Sequence, residues 1–219
     1  MLQKEVSGLI LDRITAGIYA TNCYVIGCEN TRQGIVVDPG GDADRIMQAV
    51  GKNGLDIEYI ILTHGHFDHI GALKELKDRT NAKVAIHSGD AHMLEDPGKS
   101  LAALVGSSSG TVSPDVLLKD GELLKAGDLE MEIIHTPGHT PGGICIKIGD
   151  GVLLSGDTLF AGSVGRTDLP GGDFDSLMHS IKTRLAVLPG DTKVYPGHGV
   201  ATTIEREKEK NPFLTGGYL

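Results

Sequence analysis

The sequence predicts an α/β domain in which two sheets are sandwiched between helices, and three observations predict it. Strand-like apolar runs alternate with helical periodicities in both halves of the chain. In the second half each run ends in a glycine-rich turn bearing a polar residue, and strand ends are where open α/β sheets collect ligands. The 219 residues, 40% of them hydrophobic, suffice for a sizeable core without disulfides.

Taken in order, Gly8–Thr15 and Asn22–Gly27 read as strands, and Gly34-Ile35-Val36-Val37 runs into Asp38-Pro39-Gly40. Asp42–Val50 has apolar residues at helical spacing and ends near Gly51. Ile57–Leu62 is a buried strand, Ile70–Lys77 the helix after it, and Ala82–Ile86 the next strand. Gly89–Ser113 mixes short helical turns with Gly106-Ser107-Ser108-Ser109-Gly110, a flexible loop rather than a domain boundary. Strands resume at Leu129–Ile134, Gly143–Ile148 and Val152–Leu154. Asp175–Leu188 places Leu177, Ile181, Leu185 and Leu188 on one helical face, and Thr192–Tyr195 is a last strand. Thr202–Asn211 is charged and helical, and its run Glu205–Lys210 alternates in sign like a solvated face. Residues 1–219 thus read as one domain with a short C-terminal tail from about 202 to 219.

Aromatics are only 4% and Trp is absent, so Leu, Ile, Val and Ala carry the packing. No apolar stretch approaches the roughly 18 residues of a membrane span. The start, Met1–Val6, lacks the basic-then-apolar pattern of a secretory signal, so a cytoplasmic protein is expected. Cys23, Cys28 and Cys145 lie in apolar runs without metal-motif spacing and read as buried, reduced thiols. A net charge of −9 argues against a nucleic-acid surface, which needs a basic footprint. Oligomeric state is not legible.

The chemistry concentrates in Thr63-His64-Gly65-His66-Phe67-Asp68-His69, which follows the strand Ile57–Leu62. Three imidazoles and a carboxylate in so short a span form a donor set for zinc, iron or manganese. Three further turns carry suitable ligands: His139 in Thr136-Pro137-Gly138-His139-Thr140, Asp157 in Ser155-Gly156-Asp157-Thr158, and His198 in Tyr195-Pro196-Gly197-His198-Gly199. Each follows a strand and is flanked by glycine. His87, His92 and His179 have no such context, and His135 reads as structural.

These four motifs, in this order, resemble the metallo-β-lactamase superfamily, and within it the glyoxalase II (hydroxyacylglutathione hydrolase) thioesterases. The resemblance runs from about Asn22 to Phe213. It implies a four-layer αββα sandwich with the site on one edge. It further implies two divalent metal ions, zinc first, with iron or manganese as alternatives. His64, His66 and His139 would hold one ion; Asp68, His69 and His198 would hold the other; Asp157 would bridge them. Asp38 would orient a ligand histidine from behind. Two such metals about 3.5–4 Å apart can share a hydroxide that attacks a thioester carbonyl, with Asp68 accepting its proton. The thiolate leaving group, of parent pKa ~8.5, needs little protonation to depart. The implied partner is a small-molecule thioester such as S-lactoylglutathione.

The chain departs from glyoxalase II in two places. The helical extension that supplies basic residues for glutathione is not found after His198, although Asn211-Pro212-Phe213 resembles the family's element. Gly165-Arg166-Thr167-Asp168 stands where the family's Lys and Tyr glutathione contacts are expected, leaving Arg166 to contact an anionic substrate or to brace its loop. The main rival is a persulfide dioxygenase, which shares the fold and a Gly-Arg-Thr-Asp segment and uses one iron, here on His64, His139 and Asp157. A secreted β-lactamase should carry an export signal, and its first motif normally lacks the final histidine, here His69. A flavodiiron reductase would have an acidic residue at His66, and a nuclease would want a basic face. A non-enzymatic module would not need seven intact ligands.

Overall fold

The computed structural model describes residues 8–105 and 110–217. The Met1–Val6 start and residues 106–109 of the Gly106–Gly110 loop lie outside them. Six strands form the first sheet in chain order: β1 (Leu9–Ala16), β2 (Thr21–Cys28), β3 (Gln33–Val37), β4 (Asp56–Leu62), β5 (Lys83–His87) and β6 (Val116–Leu118). β1, β2 and β3 pair antiparallel, and β3 to β6 run parallel. Helix α1 (Ala43–Asn53) makes the crossover from β3 to β4, and α2 (Phe67–Ile70) and α3 (Leu73–Thr80) make the one from β4 to β5.

The second half adds β7 (Leu123–Ala126), β8 (Leu129–His135), β9 (Ile144–Ile148) and β10 (Val152–Gly156), then the small hairpin β11 (Leu159–Phe160) and β12 (Ser163–Val164). Helix α4 (Phe174–Ser180) leads through a wider helical segment, Ile181–Leu185, to β13 (Lys193–Pro196) and β14 (Thr202–Thr203), and α5 (Ile204–Lys210) and α6 (Pro212–Thr215) follow. The second sheet has the order β14-β13-β10-β9-β8-β7.

Alternation along the strands builds the four layers. In β2, Cys23 and Val25 face the helical layer holding Ile46, Val50, Leu73 and Leu76. Their neighbours Tyr24 and Ile26 face the other way, joining Ile35, Val37 and Ile61 against Met131, Ile133, Ile144 and Ile146 of the second sheet. Cys145, Leu153 and Val194, on that sheet's outer face, meet Leu177, Ile181 and Leu185. A strand covered on both faces has no use for polar alternation, which is why β2, β3 and β10 read as apolar runs. The expected αββα sandwich is therefore the fold, and the three cysteines are buried and unpaired. Among the described residues no helix is long and apolar enough to cross a membrane.

Several elements differ from expectation. α1 runs through Gly51 to a left-handed cap at Gly54, because Gly51 faces open space where a missing side chain costs little. The helix expected over Ile70–Lys77 is two helices. Gly71 packs against the Gly40 carbonyl, where a Cβ would collide, and the Ala72 N–H turns to Pro39 O at 2.8 Å. The helix expected to reach Leu188 stops at Leu185. The short edge strands β6 and β7 went unpredicted, and their Leu117 and Leu123 side chains are exposed. The tail opens as strand β14 before α5 begins. Its charge run is not wholly solvated: Glu207 is 1% exposed and accepts hydrogen bonds from Thr202 Oγ1, Gly162 N and Asn211 Nδ2.

Candidate metal centre

The ends of β3, β4, β8, β10 and β13 deliver their following residues to one edge of the sandwich: Asp38, His64, His139, Asp157 and His198. Helix α2 adds Asp68 and His69 one turn after His66. The turns pass so close together that side chains are excluded at key points. A Cβ on Gly197 would strike Asp157 Oδ1 and the His69 ring, and one on Gly138 would strike the Leu177 backbone.

All seven expected ligands converge. His64, His66 and His139 form one trio of donor atoms, Asp68, His69 and His198 a second, and Asp157 joins His64 and His69 in a third, each within 4.8 Å. His66 Nδ1 lies 3.0 Å from His139 Nε2, and His69 Nε2 lies 3.3 Å from His198 Nε2. Asp157 Oδ2 stands 3.7 Å from both His139 Nε2 and His198 Nε2, between the two trios. Asp68 Oδ2 is 3.2 Å from His198 Nε2.

Outer hydrogen bonds fix which nitrogen of each ring keeps a lone pair. The Arg166 carbonyl can only accept, so His139 Nδ1–H donates to it at 2.7 Å and Nε2 is left as an acceptor. Asp38 Oδ2 takes Nδ1–H of His69 at 3.0 Å and the Thr63 hydroxyl at 2.6 Å, while Oδ1 takes the Thr63 N–H at 2.8 Å. Thr63 Oγ1, its proton spent on Asp38, is free to accept from His64 Nδ1 at 3.2 Å. The inward His64 Nε2 then has no hydrogen-bond partner although it is buried, and neither does Asp157 Oδ1, whose nearest charged neighbour is His69 Nε2 at 3.5 Å. Buried acceptors facing one another without a donor are costly unless a cation lies between them. The donor set, neutral imidazoles with carboxylates, fits zinc, iron or manganese.

The electrostatics agree. Burial, reinforced by neighbouring imidazoles, drives His64 well below the ordinary histidine range and His66 down to about 4. Burial works against ionisation of Asp157, but the neighbouring His69 prevails, helped by His139 and His198, and the carboxyl is held at about 2. Asp68 is also lowered, burial being outweighed by the His198 hydrogen bond and His69. In His69 and His198 burial is overcome in the opposite sense: Asp157 and Asp38 raise the first, Asp68 and Asp157 the second. The carboxylates thus draw positive charge onto the second trio.

Two outer residues escaped the sequence reading in part or whole. Thr63 links Asp38 to His64, and its position directly after a strand was the available signal. Arg166 was singled out for its guanidinium, but Nε and Nη2 of that group each donate to Asp168 at 2.7 Å, and it is the Arg166 carbonyl that touches the centre. His135 donates through Nε2 to Pro141 O at 2.9 Å and stacks on His87 at 4.0 Å, a structural arrangement beside the ligand turn.

The profile of the Metallo-beta-lactamase superfamily matches residues 16–198. Hydroxyacylglutathione hydrolase GloC of Haemophilus influenzae is 36% identical over 207 residues, covering 93% of this chain and 97% of its own. Among solved structures, BLEG-1 B3 metallo-beta-lactamase has a TM-score of 0.89 at 40% identity, over 94% of this chain and 100% of its own. TTHA1623 in a di-iron-bound form has 0.82 at 36%, over 93% and 100%. ETHE1 from Myxococcus xanthus has 0.79 at 32%, over 94% and 85%.

Proposed function

The chain belongs to the metallo-β-lactamase superfamily, and from that premise we propose that it is a dinuclear metal-dependent thioesterase of the glyoxalase II kind. Its substrate would be a small-molecule S-acyl thiol such as S-lactoylglutathione. The observation that carries the reading is the pair of facing trios, with His64 Nε2 and Asp157 Oδ1 buried and unpartnered between them. In the proposed assignment His64, His66 and His139 would hold one ion and Asp68, His69 and His198 the other, with Asp157 available to both. When bound, the two ions supply Lewis acidity, which lowers the pKa of water toward ~7 and polarises a carbonyl.

The chain's own residues do the rest. Neutral His64 and His66 keep their lone pairs available, and the Arg166 carbonyl and Asp38 hold His139 and His69 in the required tautomer. Asp157 stays ionised between the two trios, a negative charge facing both. Asp68, an ionised carboxylate at the mouth of the site, is the group placed to accept the proton of the attacking water at Oδ2. Arg166 is kept as a contact for an anionic part of the substrate, at the expense of its Asp168 pair. The likeness to GloC, matched over 97% of its length, favours glutathione esters despite the altered contacts around Arg166.

A second reading, a one-iron persulfide dioxygenase on His64, His139 and Asp157, draws on the Gly165–Asp168 segment beside His139 and on the likeness to ETHE1. One experiment separates them. The purified protein, its metals quantified, is offered S-lactoylglutathione, simpler thioesters, glutathione persulfide and, given the likeness to BLEG-1, a β-lactam. Thiol release without oxygen uptake supports the thioesterase. Oxygen uptake on the persulfide, or turnover of the lactam alone, overturns it.

A further inference from the structure

We propose that Asp90 is a positioning residue that locks the first ligand trio to its geometry. Asp90 follows β5, in a turn the sequence reading passed over, and its side chain is fully buried. Its two carboxylate oxygens accept three hydrogen bonds: Gly65 N at 3.2 Å and Thr140 Oγ1 at 2.7 Å on Oδ2, and Gly142 N at 2.7 Å on Oδ1. Gly65 lies between His64 and His66, and Thr140 directly follows His139. One carboxylate therefore ties together two ligand loops that belong to different sheets and different halves of the chain.

The surroundings are fitted to this group. A Cβ on Gly142 would collide with Asp90, and one on Gly65 would collide with Met93 of the same turn. The turn is itself fixed, Asp90 N donating to His87 O at 3.0 Å and Asp90 O accepting from Met93 N at 2.9 Å. Among the described residues no Lys, Arg or His forms an ion pair with Asp90, and its carboxyl oxygens are satisfied by N–H and O–H donors instead. An ordinary loop tie would be served by one neutral hydrogen bond. A carboxylate with three donors, each within one residue of a ligand or tied to its loop, sets the spacing of those ligands.

This inference rests on reading the site as a metal centre, and the test separates the two. The full chain is stripped with a chelator and titrated with zinc against a chromophoric competitor, for the wild type and for Asp90→Asn, Thr140→Val and Glu207→Gln. Asparagine has the shape of Asp90 but turns an N–H₂ toward one of the donors. The zinc affinity of D90N is expected to fall about 10-fold or more, as for outer partners of metal ligands, and T140V by a smaller factor. E207Q removes a comparably buried carboxylate with no ligand beside its partners, so it is expected to lower the melting temperature and leave zinc affinity unchanged. Cobalt(II) absorption is expected to shift in D90N and not in E207Q. Should D90N fail to fold, T140V decides by the same readouts. Wild-type zinc affinity in folded D90N or in T140V overturns the clamp, as does an equal loss in E207Q. A wild-type chain that takes up no zinc sinks the metal reading and the clamp with it.

Discussion

Asp38 sits in the left-handed region, at φ 50°, where a non-glycine residue is strained, and it is buried. From there one carboxylate reaches Thr63 twice and His69 once, and through Thr63 it reaches His64. Asp38→Asn is therefore expected to leave the protein folded and to weaken its metal affinity by about 10- to 100-fold, measured by competitive chelation. His139→Ala and Asp157→Ala remove proposed ligands, and each is expected to lower turnover at least about 100-fold; full activity in either refutes the assignment. At this scale the sequence was most legible for ligands and least for what orients them. A ligand must be His or Asp at a strand end, which leaves a motif. An orienting group such as the Arg166 carbonyl is defined by where its backbone lies, and any residue supplies a carbonyl.

Elements buried on both faces were readable because layered packing leaves a one-dimensional record of apolar runs. β6, β7 and β14 were not readable, being short edge strands whose pairing depends on distant partners. The break between α2 and α3 likewise depends on contact with Gly40, thirty-one residues before Gly71. The outer helices are expected to matter for stability without touching the chemistry. Ile46→Ala in α1 empties a fully buried site and should cost roughly 2–5 kcal/mol in denaturant unfolding, with metal content unchanged. On the other flank Arg184 grips Asp120 with two hydrogen bonds, at 2.8 and 3.1 Å, and Asp120 also accepts His135 N–H. The Arg184 bonds, against a small burial cost, hold the Asp120 carboxyl below its usual range. A lowered folded value means that the pair's stabilisation is complete above the unfolded carboxylate pKa and is lost as pH falls through the lower folded one. The pair is partly exposed, so Asp120→Asn should cost under about 1 kcal/mol at neutral pH. That difference should shrink as pH drops below about 4; a gap that instead widens in acid contradicts the pairing.

For the molecule as a whole, the two sheets act as two rigid arms that present their strand ends to one edge. His64, His66, Asp68 and His69 come from the first sheet's side, and His139, Asp157 and His198 from the second's. The order and chemistry of these motifs were legible before any fold was known, because strand-end ligands need glycine-flanked turns. Their convergence was legible only through the family resemblance, since it depends on how two sheets pack through the Ile26, Ile61, Met131 and Ile133 layer. Metal held by ligands from both sheets would bind only the folded chain and so stabilise the whole sandwich, and chelation should then lower the melting temperature. The most direct test of the seven-ligand centre is metal content per chain after loading with zinc or iron and removal of the excess. About two ions per chain are expected in the wild type and fewer in His139→Ala and His198→Ala; a wild-type chain that retains none contradicts the seven-ligand assignment.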